Sequence, residues 1–185
     1  MFGDNDHSVV IKFIAEGLNR AGFLKRYLEL GIRNGYCFNS VAPFCIEAYA
    51  VDVDDCYNHI KDNKNLFWFH GKTSDFLTNH DINKKFDLVF IDADHSHIAS
   101  LRDFKLVLPL VNDNGLILLH DTYPPDEIHL TSNLCNDTYK TAVYIKKNFT
   151  EYEIVTLPFY YGISIVRKLN RQLAWRNYEE NTNFG

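Results

Sequence analysis

Two apolar runs, each ending abruptly in acid and histidine, constrain this chain more than any other feature. In FDLVFIDADHSH (residues 86–97) the run Leu88-Val89-Phe90-Ile91 has no polar position before Asp92. In NGLILLHDTYPP (114–125) Leu116-Ile117-Leu118-Leu119 has none before His120 and Asp121. Strands that are apolar on both faces belong inside a parallel sheet with helices on each side. Ligands bind such sheets at the carboxyl ends of the strands. If the two strands are neighbours, about 4.8 Å apart, Asp92 and Asp121 leave the same edge and repel unless a proton, a cation or a divalent metal lies between them. The chemistry is expected at this edge.

Strand and helix signals alternate around these two runs. Residues 8–22 place Val9, Val10, Phe13, Ile14 and Leu18 at helical spacing, with Gly22 at the stop. Strands are predicted at 27–30, 48–53, 67–69, 88–91 and 116–119, and helices at 36–44, 74–78, 96–108 and 138–148. A last pair of strands, 153–157 and 163–166, flanks Pro158-Phe159-Tyr160-Tyr161-Gly162 with no helix between them. This order predicts a doubly wound α/β sheet with an antiparallel strand at one edge. One domain is expected over 1–167, with 1–25 as an N-terminal helix and 26–167 as the core. The polar tail 168–185 is expected to be a surface helix or disorder. Residues 121–137 are too long for an ordinary connector and read as a lid or substrate loop carrying Tyr123 and His129.

Several classes are set aside by composition. A net charge of −5 with no Lys/Arg block gives no reason to expect nucleic acid. No apolar run approaches the ~18 residues of a membrane span, and the acidic start MFGDNDHS is not a secretory signal. Cys37, Cys45, Cys56 and Cys135 form no CxxC pair and read as reduced thiols in a cytoplasmic protein.

Three further positions carry chemical meaning. Glu29-Leu-Gly31-Ile-Arg-Asn-Gly35 follows a strand and opens a helix, where glycines let the backbone approach a ligand. Its G-x-x-x-G spacing lacks the third glycine of a pyrophosphate loop, and the acid before it suits a ligand with a cationic or amino-acid end. A structural turn is the competing reading. Asp52 ends the second strand, where a carboxylate can accept both hydroxyl hydrogens of a ribose; a solvated strand end is the alternative. His95 follows Asp92 by three residues, and an imidazole there is a reasonable general base for a hydroxyl, against a plain helix-start residue. His97 is expected to face solvent or the next helix.

Taken in order, ELGIRNG, AYAVDVDD, HGKTSDFL, FDLVFIDADHSH and GLILLHDT resemble the class I S-adenosylmethionine-dependent methyltransferases, nearest to the small-molecule and sugar O-methyltransferase-like group. The resemblance spans roughly residues 26–167. It implies a Rossmann-like sheet of about seven strands, mostly parallel, with the last antiparallel. It implies Glu29, Gly31 and Gly35 around the methionine part of S-adenosylmethionine, Asp52 on the ribose, Thr73, Ser74 and Asp75 near the adenine, and Asp92 at the cofactor edge. In metal-dependent relatives Asp92 and Asp121 match positions that hold a divalent cation. Where such relatives often carry Asn or Glu, this chain has Thr122 and His120. Two carboxylates plus waters satisfy Mg²⁺, whereas direct ligation by His120 favours Mn²⁺ or Zn²⁺.

The expectation is a methyltransferase acting on a small-molecule or sugar hydroxyl, with Asp92 and His95 catalytic and Asp92, Asp121 and His120 holding a metal. Little chain remains for a substrate cap, so the acceptor site should be open or completed by a second subunit in a homodimer. The rival readings are a nicotinamide-dependent oxidoreductase and a non-catalytic binding protein on the same fold.

Overall fold

The computed structural model describes residues 7–61 and 65–169. In chain order it contains α1 (His7–Arg20), β1 (Arg26–Leu30), α2 (Tyr36–Val41), β2 (Glu47–Asp52), β3 (Leu66–His70), α3 (Thr73–Asn79), β4 (Phe86–Ile91), α4 (His97–Val107), β5 (Val111–Leu119), α5 (Tyr139–Asn148), β6 (Tyr152–Leu157) and β7 (Ile163–Lys168). The strands form one sheet in the order β3-β2-β1-β4-β5-β7-β6. β7 runs antiparallel to both of its neighbours, and the pairs among β1 to β5 are parallel. The strand order reverses between β1 and β4, which places the crevice of a doubly wound sheet at the tips of those strands.

Alternation along β4 shows how this sequence makes two cores. Leu88 and Phe90 pack with Ile11 and Ala15 of α1 and Phe38 and Val41 of α2. Val89 and Ile91, one residue out of phase, pack with Phe104 and Val107 of α4 and Ile145 of α5. Successive side chains of a strand point to opposite faces, so an unbroken apolar run serves both layers. Each fully buried Phe or Leu contributes roughly 1.5–3 kcal/mol.

The sequence reading of α1 is right for Val10, Ile14 and Leu18, which pack on the core, and wrong for Val9 and Phe13. Val9 and Phe13 are 62% and 77% exposed, whereas Ile11 and Ala15 are fully buried. The buried stripe is His7-Ile11-Ala15 at i, i+4, i+8, flanked by Val10, Ile14 and Leu18. Counting apolar residues hid this, because the stripe begins with a histidine and ends with an alanine. β5 also starts earlier than its apolar run, at Val111, and its register to β4 shifts between Phe86 and Leu88 where Asn112-Asp113-Asn114 intervenes. The expected polar tail lies outside the described residues from 170 onward, and β7 itself extends to Lys168. Among the described residues no helix is long and apolar enough to cross a membrane.

Candidate active site

Register puts the two key strand ends side by side. Ile91 pairs with Leu119, and the ladder runs one residue further on each strand. The Asp92 N–H donates to Leu30 O at 2.8 Å, and the His120 N–H donates to Ile91 O at 3.1 Å. Asp92 and His120 are therefore held by backbone bonds, not by side-chain packing alone. Asp121 then turns with φ 57°, a left-handed conformation unusual for a residue with a side chain. The strain is held from β7 and the turn before it, where Ser164 Oγ donates to Thr122 Oγ1 at 2.9 Å and the Tyr123 N–H donates to Tyr161 O at 2.8 Å.

Three histidines converge on Asp92. His120 Nδ1 lies 3.1 Å from Asp92 Oδ1, His95 Nε2 lies 3.5 Å from the same oxygen, and His7 Nε2 lies 3.8 Å from Oδ2. His95 Nδ1 faces Asp121 Oδ2 at 3.0 Å and Leu134 O at 2.5 Å. Burial works against the Asp92 carboxylate, yet the charge and hydrogen bond of His120, aided by His95 and His7, hold its carboxyl well below the usual range. Burial alone would lower His95 and His120, but the facing carboxylates raise each to about 9. Asp121 is pushed upward by burial against the opposing pull of His120 and His95. Without a cation the cluster is thus a set of imidazolium–carboxylate pairs.

Beside this cluster sits the glycine turn. Gly31 has φ 86°, and a Cβ there would meet Asp92 O at 2.2 Å, so only glycine lets the β1 tip lie against the β4 tip. Asp52 straps the turn: its Oδ2 accepts from the Ile32 and Arg33 N–H groups at 2.8 and 2.9 Å, and its Oδ1 accepts from the Asp54 N–H at 3.0 Å. Gly35, with φ 70°, stands at the start of α2. Glu29 is buried beneath the turn and accepts from Tyr27 Oη at 2.5 Å. Burial, reinforced by Asp92 and Asp52, raises its carboxyl to about 8 even against the Tyr27 hydrogen bond.

Glu29, Gly31, Asp52, Asp92, Asp121 and His120 thus stand at neighbouring strand tips, with His95 four residues past the end of β4. Ser74, half-buried, lies in the first turn of α3. Thr73 is committed elsewhere: its hydroxyl donates to buried Asp103 Oδ2 at 2.8 Å between α3 and α4. The expected lid, 121–137, is stitched down at its far end. Leu134 O meets His95, Asp137 Oδ1 accepts the His97 N–H at 2.6 Å, and Thr138 Oγ1 donates to His95 O at 2.5 Å. His97 is not turned to solvent, since its Nδ1 lies 2.8 Å from Thr141 Oγ1 of α5. Sequence reasoning missed His7 altogether. The signal was its place at the head of the buried α1 stripe, where a histidine needs a polar partner.

A family profile described as a methyltransferase domain matches residues 28–122, from β1 through the turn after β5. The chain belongs to this methyltransferase-domain family. Its class is that of the class I S-adenosylmethionine-dependent methyltransferases, with the seven-stranded sheet and antiparallel seventh strand described above. Among solved structures, an SAH-bound methyltransferase of Podospora anserina superposes with a TM-score of 0.69 at 17% identity, covering 89% of this chain and 78% of that one. An O-methyltransferase of Bacillus cereus in complex with SAH gives 0.69 at 18% identity, covering 87% and 81%. The O-methyltransferase TomG of Streptomyces achromogenes, in complex with SAM, gives 0.67 at 14% identity, covering 86% and 79%. No curated protein matches the chain by sequence.

Proposed function

We propose that this methyltransferase moves the sulfonium methyl of S-adenosylmethionine to a hydroxyl oxygen of a small molecule such as a sugar. The observation that carries the reading is the meeting of Asp92, His95, His120 and Asp121 beside the Gly31 turn. In-line displacement asks the protein mainly for alignment, which is worth several kcal/mol. Glu29, Gly31, Gly35 and Asp52 would seat the methionine and ribose parts, with Ser74 toward the adenine. Thr73 would support that corner from behind through Asp103.

The donor set suits a divalent cation. Asp92, His95 and Asp121 offer ligand atoms within 4.8 Å of one another, as do His7, Asp92 and His120. Of the expected ligands, Asp92 is common to both sets while Asp121 falls in one and His120 in the other; a cation held at Asp92 would, when bound, lower the pKa of the acceptor hydroxyl and position its oxygen. His95 is the group that would receive the hydroxyl proton at Nε2. To do so it must start neutral, and neutralising the two carboxylates that now keep it protonated favours that form. The similarity to O-methyltransferase structures supports oxygen as the acceptor atom.

The reading is tested by incubating the chain with methyl-labelled S-adenosylmethionine and a panel of sugars and phenols, with and without divalent cations. Label is expected in a hydroxyl-bearing acceptor, with loss of turnover but not of cofactor binding in His95→Ala. Cofactor binding with no transfer to any acceptor, in every cation tried, would favour the rival reading of a non-catalytic binding protein.

A further inference from the structure

Five titratable side chains at the strand tips and the head of α1 form two donor sets that share Asp92, and the one reaching into α1 is rich in imidazole nitrogen. His7, Asp92 and His120 are all shielded, with side chains 11%, 16% and 7% exposed. His120 Nε2 lies 2.8 Å from Tyr160 O, a carbonyl that can only accept, so Nε2 carries a proton. The other ring nitrogen, Nδ1, is the one that faces Asp92. A backbone carbonyl on one nitrogen is the usual device that fixes the tautomer of a metal-binding imidazole and aims its other nitrogen. The His7 ring lies 4.3 Å from the His120 ring, centroid to centroid, and its Nε2 faces the second oxygen of the same carboxylate. Two imidazoles and one carboxylate therefore converge from three separate elements.

We propose that His7, Asp92 and His120 bind a later first-row transition cation of the Zn²⁺ or Co²⁺ class in preference to Mg²⁺. Mg²⁺ demands near-octahedral oxygen ligands and gives up its waters reluctantly. Imidazole donors suit the later divalent metals, whose affinity for such sites exceeds that for harder cations. α1 then does more than cover the sheet, because it delivers a ligand. The inference deepens the metal part of the proposed function and rests on that reading only for the cation's use.

The test uses the full-length chain, freed of metal by chelation and titrated with Co²⁺ by calorimetry and visible absorption. One Co²⁺ per chain is expected, displaced by Zn²⁺ but not by a large excess of Mg²⁺. His7→Ala and the bulkier His7→Gln should each weaken Co²⁺ binding by about tenfold or more, while His70→Ala, at the tip of edge strand β3, should bind as the parent does. Unchanged affinity in both His7 variants, displacement of Co²⁺ by Mg²⁺, or no Co²⁺ bound at all would overturn the proposal. SAH binding, read on the same samples, separates the two readings. A chain that binds SAH but no cobalt refutes the metal site alone, and one that binds neither also refutes the methyl-donor reading.

Discussion

Gly31 and Glu29 show how single residues at the β1 tip trade stability against site geometry. A Cβ at residue 31 has a backbone oxygen 2.2 Å away and a φ of 86° to maintain, so the turn must move off β4. Gly31→Ala is expected to lose several kcal/mol and to weaken SAH binding, measured by urea unfolding and calorimetry. Glu29 carries a carboxyl raised to about 8 by burial, against an unfolded value near 4.3. A raised folded pKa means that the native state holds the proton more tightly. Its contribution is complete below about pH 4.3 and is lost as pH rises through about 8. Glu29→Gln should flatten the fall in stability between about pH 4.3 and 8 and make the chain more stable than the parent at the alkaline end, by an amount on the order of a few kcal/mol. Chemical denaturation across that range measures it, and an unchanged pH slope would mean that Glu29 is ionised in the folded chain.

At the scale of elements, the antiparallel strand β7 is what holds the loop after β5. A chain of hydroxyls crosses the sheet, with Thr156 and Ser164 2.7 Å apart and Ser164 donating to Thr122 at 2.9 Å. Ser164 is fully buried, so Ser164→Ala leaves two hydroxyls short of a partner, a cost of about 1–3 kcal/mol. Because Thr122 follows the strained Asp121, the same change should lower turnover more than it raises KM for the cofactor. Steady-state kinetics decide this, and an unaltered kcat would show that the hydroxyl chain is structural only. The elements themselves were legible in the sequence, because β4 and β5 are buried on both faces and announce themselves as apolar runs. Their polar ends were legible for the same reason: Asp92, His95, His120 and Asp121 are the first residues free to be polar. The phase of α1 was legible only in part. Its buried face is set by docking on the sheet, which took in Ile11 and Ala15 and left Val9 and Phe13 outside.

For the whole molecule, one hydrophobic sandwich carries the site. Leu118 sits fully buried in β5 among the residues facing α1 and α2, and Leu118→Ala should cost about 2–5 kcal/mol. At roughly 2–4 °C per kcal/mol for a chain of this size, calorimetry should record a melting point lower by on the order of 10 °C. A shift within error would mean that the cavity collapses or that the core is loosely packed. Long-range convergence is what the sequence could not express. His7 meets Asp92 only because α1 folds back across the sheet, and Leu134 and Tyr160 reach the histidines through main-chain oxygens that carry no residue identity. Asp52 was expected from its strand-end position, but its hold on the Ile32 and Arg33 amides depends on how closely the β1 and β2 tips lie. The carboxyl edge around Gly31 is expected to receive a sulfonium nucleoside, and the most direct test is a calorimetric titration of the intact chain with SAH and, separately, with NAD. One SAH per chain, with no heat from NAD, is the predicted result. Binding of NAD without SAH would contradict it.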